Sequence, residues 1–169
     1  MMAEPLGLTP AQTVGPFLHI ALADPAAASA VPADTPDACE VTGRVLDGEG
    51  APVADALVET WQIDGHFGRC ATDAGGRWMI RTVKPPSAAT RDGTPQAPHL
   101  LMSVFARGLL DRVVTRLYFG DELDANAADP TLAAVGDRRD RLVADGDEAL
   151  GYRLDIHLQG DDESVFFAI

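Results

Sequence analysis

A chain of 169 residues with 46% hydrophobic side chains is long enough to bury a substantial core and too apolar for a disordered polymer. Its 26 acidic against 13 basic side chains give a net charge of -13, a field that repels nucleic acid and anionic lipid. Neither is expected as a partner, although a local arginine can still hold an anionic substrate.

The N-terminus, Met1-Met2-Ala3-Glu4-Pro5-Leu6-Gly7, lacks the basic start and apolar run of a secretory peptide. No run approaches the length of a membrane span, so the expected location is the cytoplasm. Residues 1–38 read as an N-terminal arm and linker. Gly15-Pro16 breaks regular structure in the arm, and the Ala, Asp and Pro-rich interval from Ala21 to Ala38 reads as a mobile surface connection. Residues 39–169 read as one β-domain.

From Glu40 the text is strand, turn, strand. Val41 to Leu46 runs into the turn Asp47-Gly48-Glu49-Gly50, and Ala56 to Ile63 into Asp64-Gly65. Asp73-Ala74-Gly75-Gly76 is a further turn, and Arg77 to Val83 continues the pattern. Side chains two apart share a face of a strand. Leu100, Met102, Val104 and Ala106 thus form one face, opposite His99, Leu101, Ser103, Phe105 and Arg107. Val113, Thr115, Leu117 and Phe119 form another inward row, opposite Arg112, Val114, Arg116 and Tyr118. Tyr152, Leu154, Ile156 and Leu158 form a third, and Ser164 to Ile169 reads as a last apolar strand. Helical signal is confined to one interval. Asp129-Pro130 is an N-cap followed by a first-turn proline, predicting a short helix through Val135 with a further turn or two between Asp137 and Ala144. The predicted fold is all-β: an antiparallel β-sandwich of seven to eight short strands, with an extended arm and one or two short helices near residues 130–144.

The four histidines, His19, His66, His99 and His157, show no i, i+2 pair on a strand and no i, i+4 pair on a helix. A His-x-His at 99 and 101 would aim two imidazoles at one ion, but Leu101 cannot coordinate anything. His99 therefore reads as a half-buried imidazole bonded to a neighbour. Cys39 and Cys70 form no CxxC pattern and read as free thiols. No nucleophile elbow or Ser/His/Asp pattern supports a self-sufficient hydrolase.

Several segments in order carry a resemblance. They are Thr9-Pro10-Ala11-Gln12-Thr13-Val14-Gly15-Pro16-Phe17, Val58-Glu59-Thr60-Trp61-Gln62, Phe67-Gly68-Arg69-Cys70-Ala71-Thr72-Asp73, Ala97-Pro98-His99, Phe105-Ala106-Arg107-Gly108-Leu109, Thr115-Arg116-Leu117-Tyr118-Phe119 and Tyr152-Arg153-Leu154-Asp155-Ile156-His157. Together they resemble the non-metal-binding alpha subunits of the intradiol ring-cleavage dioxygenase family. Members of that family hold ferric iron with two Tyr and two His. Only His99 matches one of those positions. Leu101 stands at its partner's place, and neither the loop after Asp64 nor the segment from Pro86 to Ala97 contains a Tyr. The resemblance implies no metal in this chain, with His99 as a vestigial position. It also implies a beta partner that binds iron(III), a hetero-oligomer of αβ units, and intradiol cleavage of an aromatic acid, protocatechuate, to 3-carboxy-cis,cis-muconate. Thr13, Gly15, Pro16 and Arg107 are then the substrate-binding residues, reaching into the partner's pocket, with Arg116 and Tyr118 at the interface. The loop at residues 64–68 is shorter than the family's. The stretch Val41 to Val58 also resembles prealbumin-like β-sandwich modules, which bind partners and do no chemistry.

Overall fold

The computed structural model describes residues 21–90 and 92–168. Thr13, Gly15, Pro16 and His19 lie outside them. The strands follow the predicted alternation: β1 (Ala38–Leu46), β2 (Leu57–Trp61), β3 (Phe67–Ala71), β4 (Arg77–Val83), β5 (Ala88–Ala89), β6 (Pro95–Gln96), β7 (His99–Phe105), β8 (Val113–Phe119), β9 (Val143–Asp147), β10 (Gly151–Arg153) and β11 (Ile156–His157). Two helices, α1 (Leu123–Ala128) and α2 (Pro130–Val135), precede a 3-10 stretch, Gly136–Leu142. Asp129 caps α2 as its sequence predicts, accepting from the Thr131 and Leu132 amides. Helix α1 was not legible, because its Leu-Asp-Ala-Asn-Ala-Ala text shows no apolar period. No helix among the described residues is long and apolar enough to cross a membrane.

The predicted plain antiparallel sandwich does not form. Neighbours along the main sheet run β11, β1, β10, β9, β8, β7, β2, β3, with β4 paired to the other side of β1. The meander β3–β2–β7–β8 is antiparallel, but β8 pairs β9 in parallel, and β1 pairs both β10 and β11 in parallel. Because β9 and β10 bridge what would be two separate layers, the sheet curls into an almost closed barrel. The gap in it lies between β3 and β4, which pack together without a ladder. At the opposite end of the path, β1 and the chain after β10 approach so closely that a side chain at Gly43 would meet the Leu154 carbonyl at 1.9 Å.

The interior of the barrel holds the rows read from the sequence. Leu100, Met102, Val104 and Ala106 are buried together with Leu117, Phe119, Tyr152 and Ile156. A second, smaller core sits outside β8, where Leu132 and Leu142 from the helical interval pack with Tyr118 and Val165. Ser164 to Ala168 are not a strand. They lie over β8 through the Thr115 hydroxyl, which donates to the Val165 carbonyl, and the Phe167 amide, which donates to the Val114 carbonyl. The expected mobile connection is also pinned. Pro25–Ala28 forms a 3-10 turn capped by Asp24, Val31 is buried, and the Arg81 guanidinium donates to the Pro32 and Ala33 carbonyls.

One acid-sensitive lock closes the β1 edge. Asp155 accepts from the Arg44 amide at 2.9 Å and from the Arg44 and Arg153 guanidinium groups at 3.1 Å each. Burial opposes its charge, but Arg153, Arg44 and the backbone amide outweigh burial and hold its carboxyl below the usual range. A depressed carboxyl contributes stability that is present above its unfolded value, near pH 4, and lost as pH falls toward the folded value. Asp155→Asn should therefore flatten the fall in stability between about pH 4 and pH 2, measured by urea unfolding across that range. An unchanged slope would remove Asp155 from the lock.

Candidate functional site

His99 opens β7, one residue after Pro98, and its ring stacks at a tilt on Tyr118, 5.2 Å between centroids. Its Nδ1 lies 2.8 Å from the Ala97 carbonyl, the neighbour bond expected of it. Burial is the main influence on the imidazole and pushes it below its usual range, so the ring is neutral near pH 7. Two residues on, Leu101 is 44% exposed on the outer face of the sheet, aligned between Trp61 of β2 and Arg116 of β8.

Tyr118 differs from the expectation of an interface residue. It is fully buried beneath α2 and the C-terminal stretch, with its hydroxyl donating to Asp129 at 3.3 Å and accepting from Arg116 at 3.0 Å. Arg116 also donates to the Thr131 hydroxyl and lies over the Phe167 ring. The helical interval covers the outer face of β8 and turns a residue of the polar row into core. Alternation along one strand carries no sign of what packs on its far side.

These residues do not make up a ferric site. The Ala97 carbonyl at Nδ1 leaves His99 Nε2 as a lone imidazole donor, Leu101 offers none, and burial raises the Tyr118 phenol, disfavouring a phenolate. His66 sits in the Asp64–Gly68 turn, with Nδ1 3.0 Å from an Asp64 oxygen. His157 is half-buried, its amide donating to the Ser164 hydroxyl oxygen. Among the described residues no three His, Cys, Asp or Glu side chains are grouped as a metal site.

Arg107 lies beyond the other end of β7, so the facing rule that places it with His99 stops at Phe105. Its side chain is 86% exposed and its Nε lies 3.1 Å from an Asp55 oxygen. It borders an open depression with Pro52, Val53, Leu109 and Leu158. Gly108 follows with a φ of 90°, a left-handed conformation that only glycine takes without strain, and turns the chain out of the strand there. The structure thus presents a nearly free guanidinium at one rim of the barrel, far from His99.

A group that the sequence reading passed over lies near the end of β4. Lys84 donates to Asp121 at 2.8 Å and Glu122 at 2.9 Å, while the Tyr152 hydroxyl donates to the same Asp121 oxygen. The ammonium sits over the Phe119 and Tyr152 rings. Every cation and acceptor here is matched, which marks a structural tie between β4 and the β8–α1 turn. Its only sequence signal is Lys84 standing as the sole lysine in the chain.

No protein-family model matches the chain. It is similar to the protocatechuate 3,4-dioxygenase alpha chain of Pseudomonas putida, 40% identical over 200 aligned positions that cover 99% of each chain. That alignment is longer than the 169-residue chain, so the relative carries segments that this one lacks. A second alpha chain, from Burkholderia cepacia, is 36% identical over 95% of this chain and 97% of its own. The beta chain from the same organism is 38% identical, over 72% of this chain and 64% of its own. Among solved structures, the intradiol ring-cleavage dioxygenase of Tetranychus urticae superposes with a TM-score of 0.62 at 15% identity, covering 93% of this chain and 98% of that one. At that identity the superposition speaks for the fold.

Proposed function

The chain belongs to the family of protocatechuate 3,4-dioxygenase alpha chains, and on that premise we propose that it completes the substrate pocket of an iron(III)-bearing beta partner without binding metal itself. The observation that carries this reading is the end-to-end match to two alpha chains; an aliphatic Leu101 beside His99 supports it. The prealbumin-like alternative gives way to that match.

The assembled enzyme opens the protocatechuate ring between its hydroxyl-bearing carbons, giving 3-carboxy-cis,cis-muconate, with the iron chemistry supplied from the partner. This chain contributes binding. Arg107, exposed and tied only to a surface carboxylate, reaches across and holds the substrate carboxylate through a charge-assisted bond. Thr13, Gly15 and Pro16 wall the pocket, glycine allowing close backbone approach and proline keeping the loop stiff. The working unit is an αβ pair within a larger hetero-oligomer.

Expression with and without the beta partner tests the division of labour. Iron and protocatechuate-dependent oxygen uptake should appear only in the co-purified complex, at one iron for each αβ pair. Stoichiometric iron and oxygen uptake in this chain alone would overturn the reading.

A further inference from the structure

We infer that the seam between β3 and β4 is a binding site for a small aromatic carboxylate, built entirely from this chain. This goes beyond the proposed function and does not rest on it. The seam is where the barrel fails to close, and a cavity of about 610 Å³ lies there. Its walls are apolar, with Ala23, Pro25 and Ala28 from the capped turn facing Trp78 and Met79 of β4.

Four arginines border this one cavity: Arg44 from β1, Arg69 from β3, Arg77 from β4 and Arg153 from β10. Asp24 and Asp73 in the wall and Glu59 and Asp155 beside it balance them, so the cavity is close to neutral where the whole chain carries 26 acidic against 13 basic side chains. Arg69 is committed to Glu59 at 2.6 Å, and Arg44 and Arg153 share Asp155. Arg77 forms no ion pair among the described residues. Asp24 and Asp73, the carboxylates in the wall, already accept backbone amides, from Ala26 and from Gly75 and Arg77.

The wall residues also leave two donors unanswered. The Arg44 Nε and the Trp78 indole N–H are buried with no acceptor, and Trp78 is only 2% exposed. Their burial shuts both off from the cavity, so the donor left for a ligand is the exposed Arg77 guanidinium on its wall. Apolar walls with guanidinium groups at the rim suit a molecule with a flat hydrophobic body and one anionic end. A free phosphate would leave the walls unsatisfied. A polyanion would meet the repulsion of the remaining surface.

The chain holds 2 tryptophans, so in a full-length Trp61→Phe background Trp78 becomes the sole indole reporter. Benzoate should change Trp78 emission saturably, and uncharged benzamide should bind at least about tenfold more weakly. Adding Arg77→Gln should weaken benzoate by about tenfold while the melting temperature holds; Arg153→Gln, a second variant that also loosens Asp155, should weaken benzoate similarly with a lower melting temperature. The inference fails if benzoate and benzamide bind alike, if no saturable change occurs, or if both arginine variants bind as well as the parent. It also fails if binding appears only after residues 1–20 are deleted, because the chain's own N-terminal segment would then be the occupant.

Discussion

Arg107→Ala in the co-purified αβ complex should lower kcat/KM for protocatechuate by roughly 10- to 100-fold, the equivalent of about 1.5–3 kcal/mol for a hydrogen bond to a charged group. The loss should fall mainly on KM, because the carboxylate is remote from the ring bond that breaks. Catechol, which lacks the carboxylate, should be turned over equally by parent and variant. Folding should be untouched, because Arg107 is 86% exposed and its pairing with Asp55 is a surface ion pair of the kind worth little. For the same reason Asp55 competes weakly for the guanidinium when substrate arrives. Arg107→Lys should recover only part of the affinity, since an ammonium cannot offer the two-pronged geometry of guanidinium. Unchanged kcat/KM in the alanine variant would remove Arg107 from the pocket.

Asp129→Ala should destabilise the chain by about 3–5 kcal/mol and lower its melting temperature by roughly 10 °C. Asp129 is 1% exposed, and its two oxygens answer four donors: the Thr131 and Leu132 amides, the Tyr118 hydroxyl and the Ala97 amide. Loss of the helix cap accounts for about 1 kcal/mol. The larger share comes from leaving the Ala97 amide and Tyr118 hydroxyl buried without an acceptor. Asp129→Asn keeps one acceptor oxygen but turns an amide toward a donor, so it should fall between the two. Urea unfolding of the three proteins checks this, and a change under 1 kcal/mol in the alanine variant would contradict it.

Asp129 shows where legibility stops. The Asp-Pro pair announces a helix start, since an N-cap and a first-turn proline act on the next few residues alone. Nothing in that pair reveals that the second carboxylate oxygen reaches Ala97, just before β7, and braces the segment carrying His99. Tyr118 repeats the lesson. Strand alternation places it opposite Leu117 and Phe119 correctly, but its burial depends on α2 and the C-terminal stretch, which arrive from elsewhere in the chain.

The site divides in the same way. That Leu101 can coordinate no metal is visible in the letters, because an aliphatic side chain has no donor in any fold. That burial pushes the His99 imidazole down beside a carbonyl, and that Arg107 stands exposed at the far rim with Asp55 for a partner, required coordinates.

By itself the amino-acid order determined the β class, the turns at Asp47, Asp64 and Asp73, and the inward rows of β7 and β8. Each follows from side-chain chemistry acting within a few residues. Only the tertiary structure decided that β10 and β11 run parallel to β1, and that the sheet curls toward closure and leaves a seam lined with arginines. Those outcomes depend on pairings between distant segments, where register is chosen by the competition among whole faces for burial, and no local pattern encodes that choice.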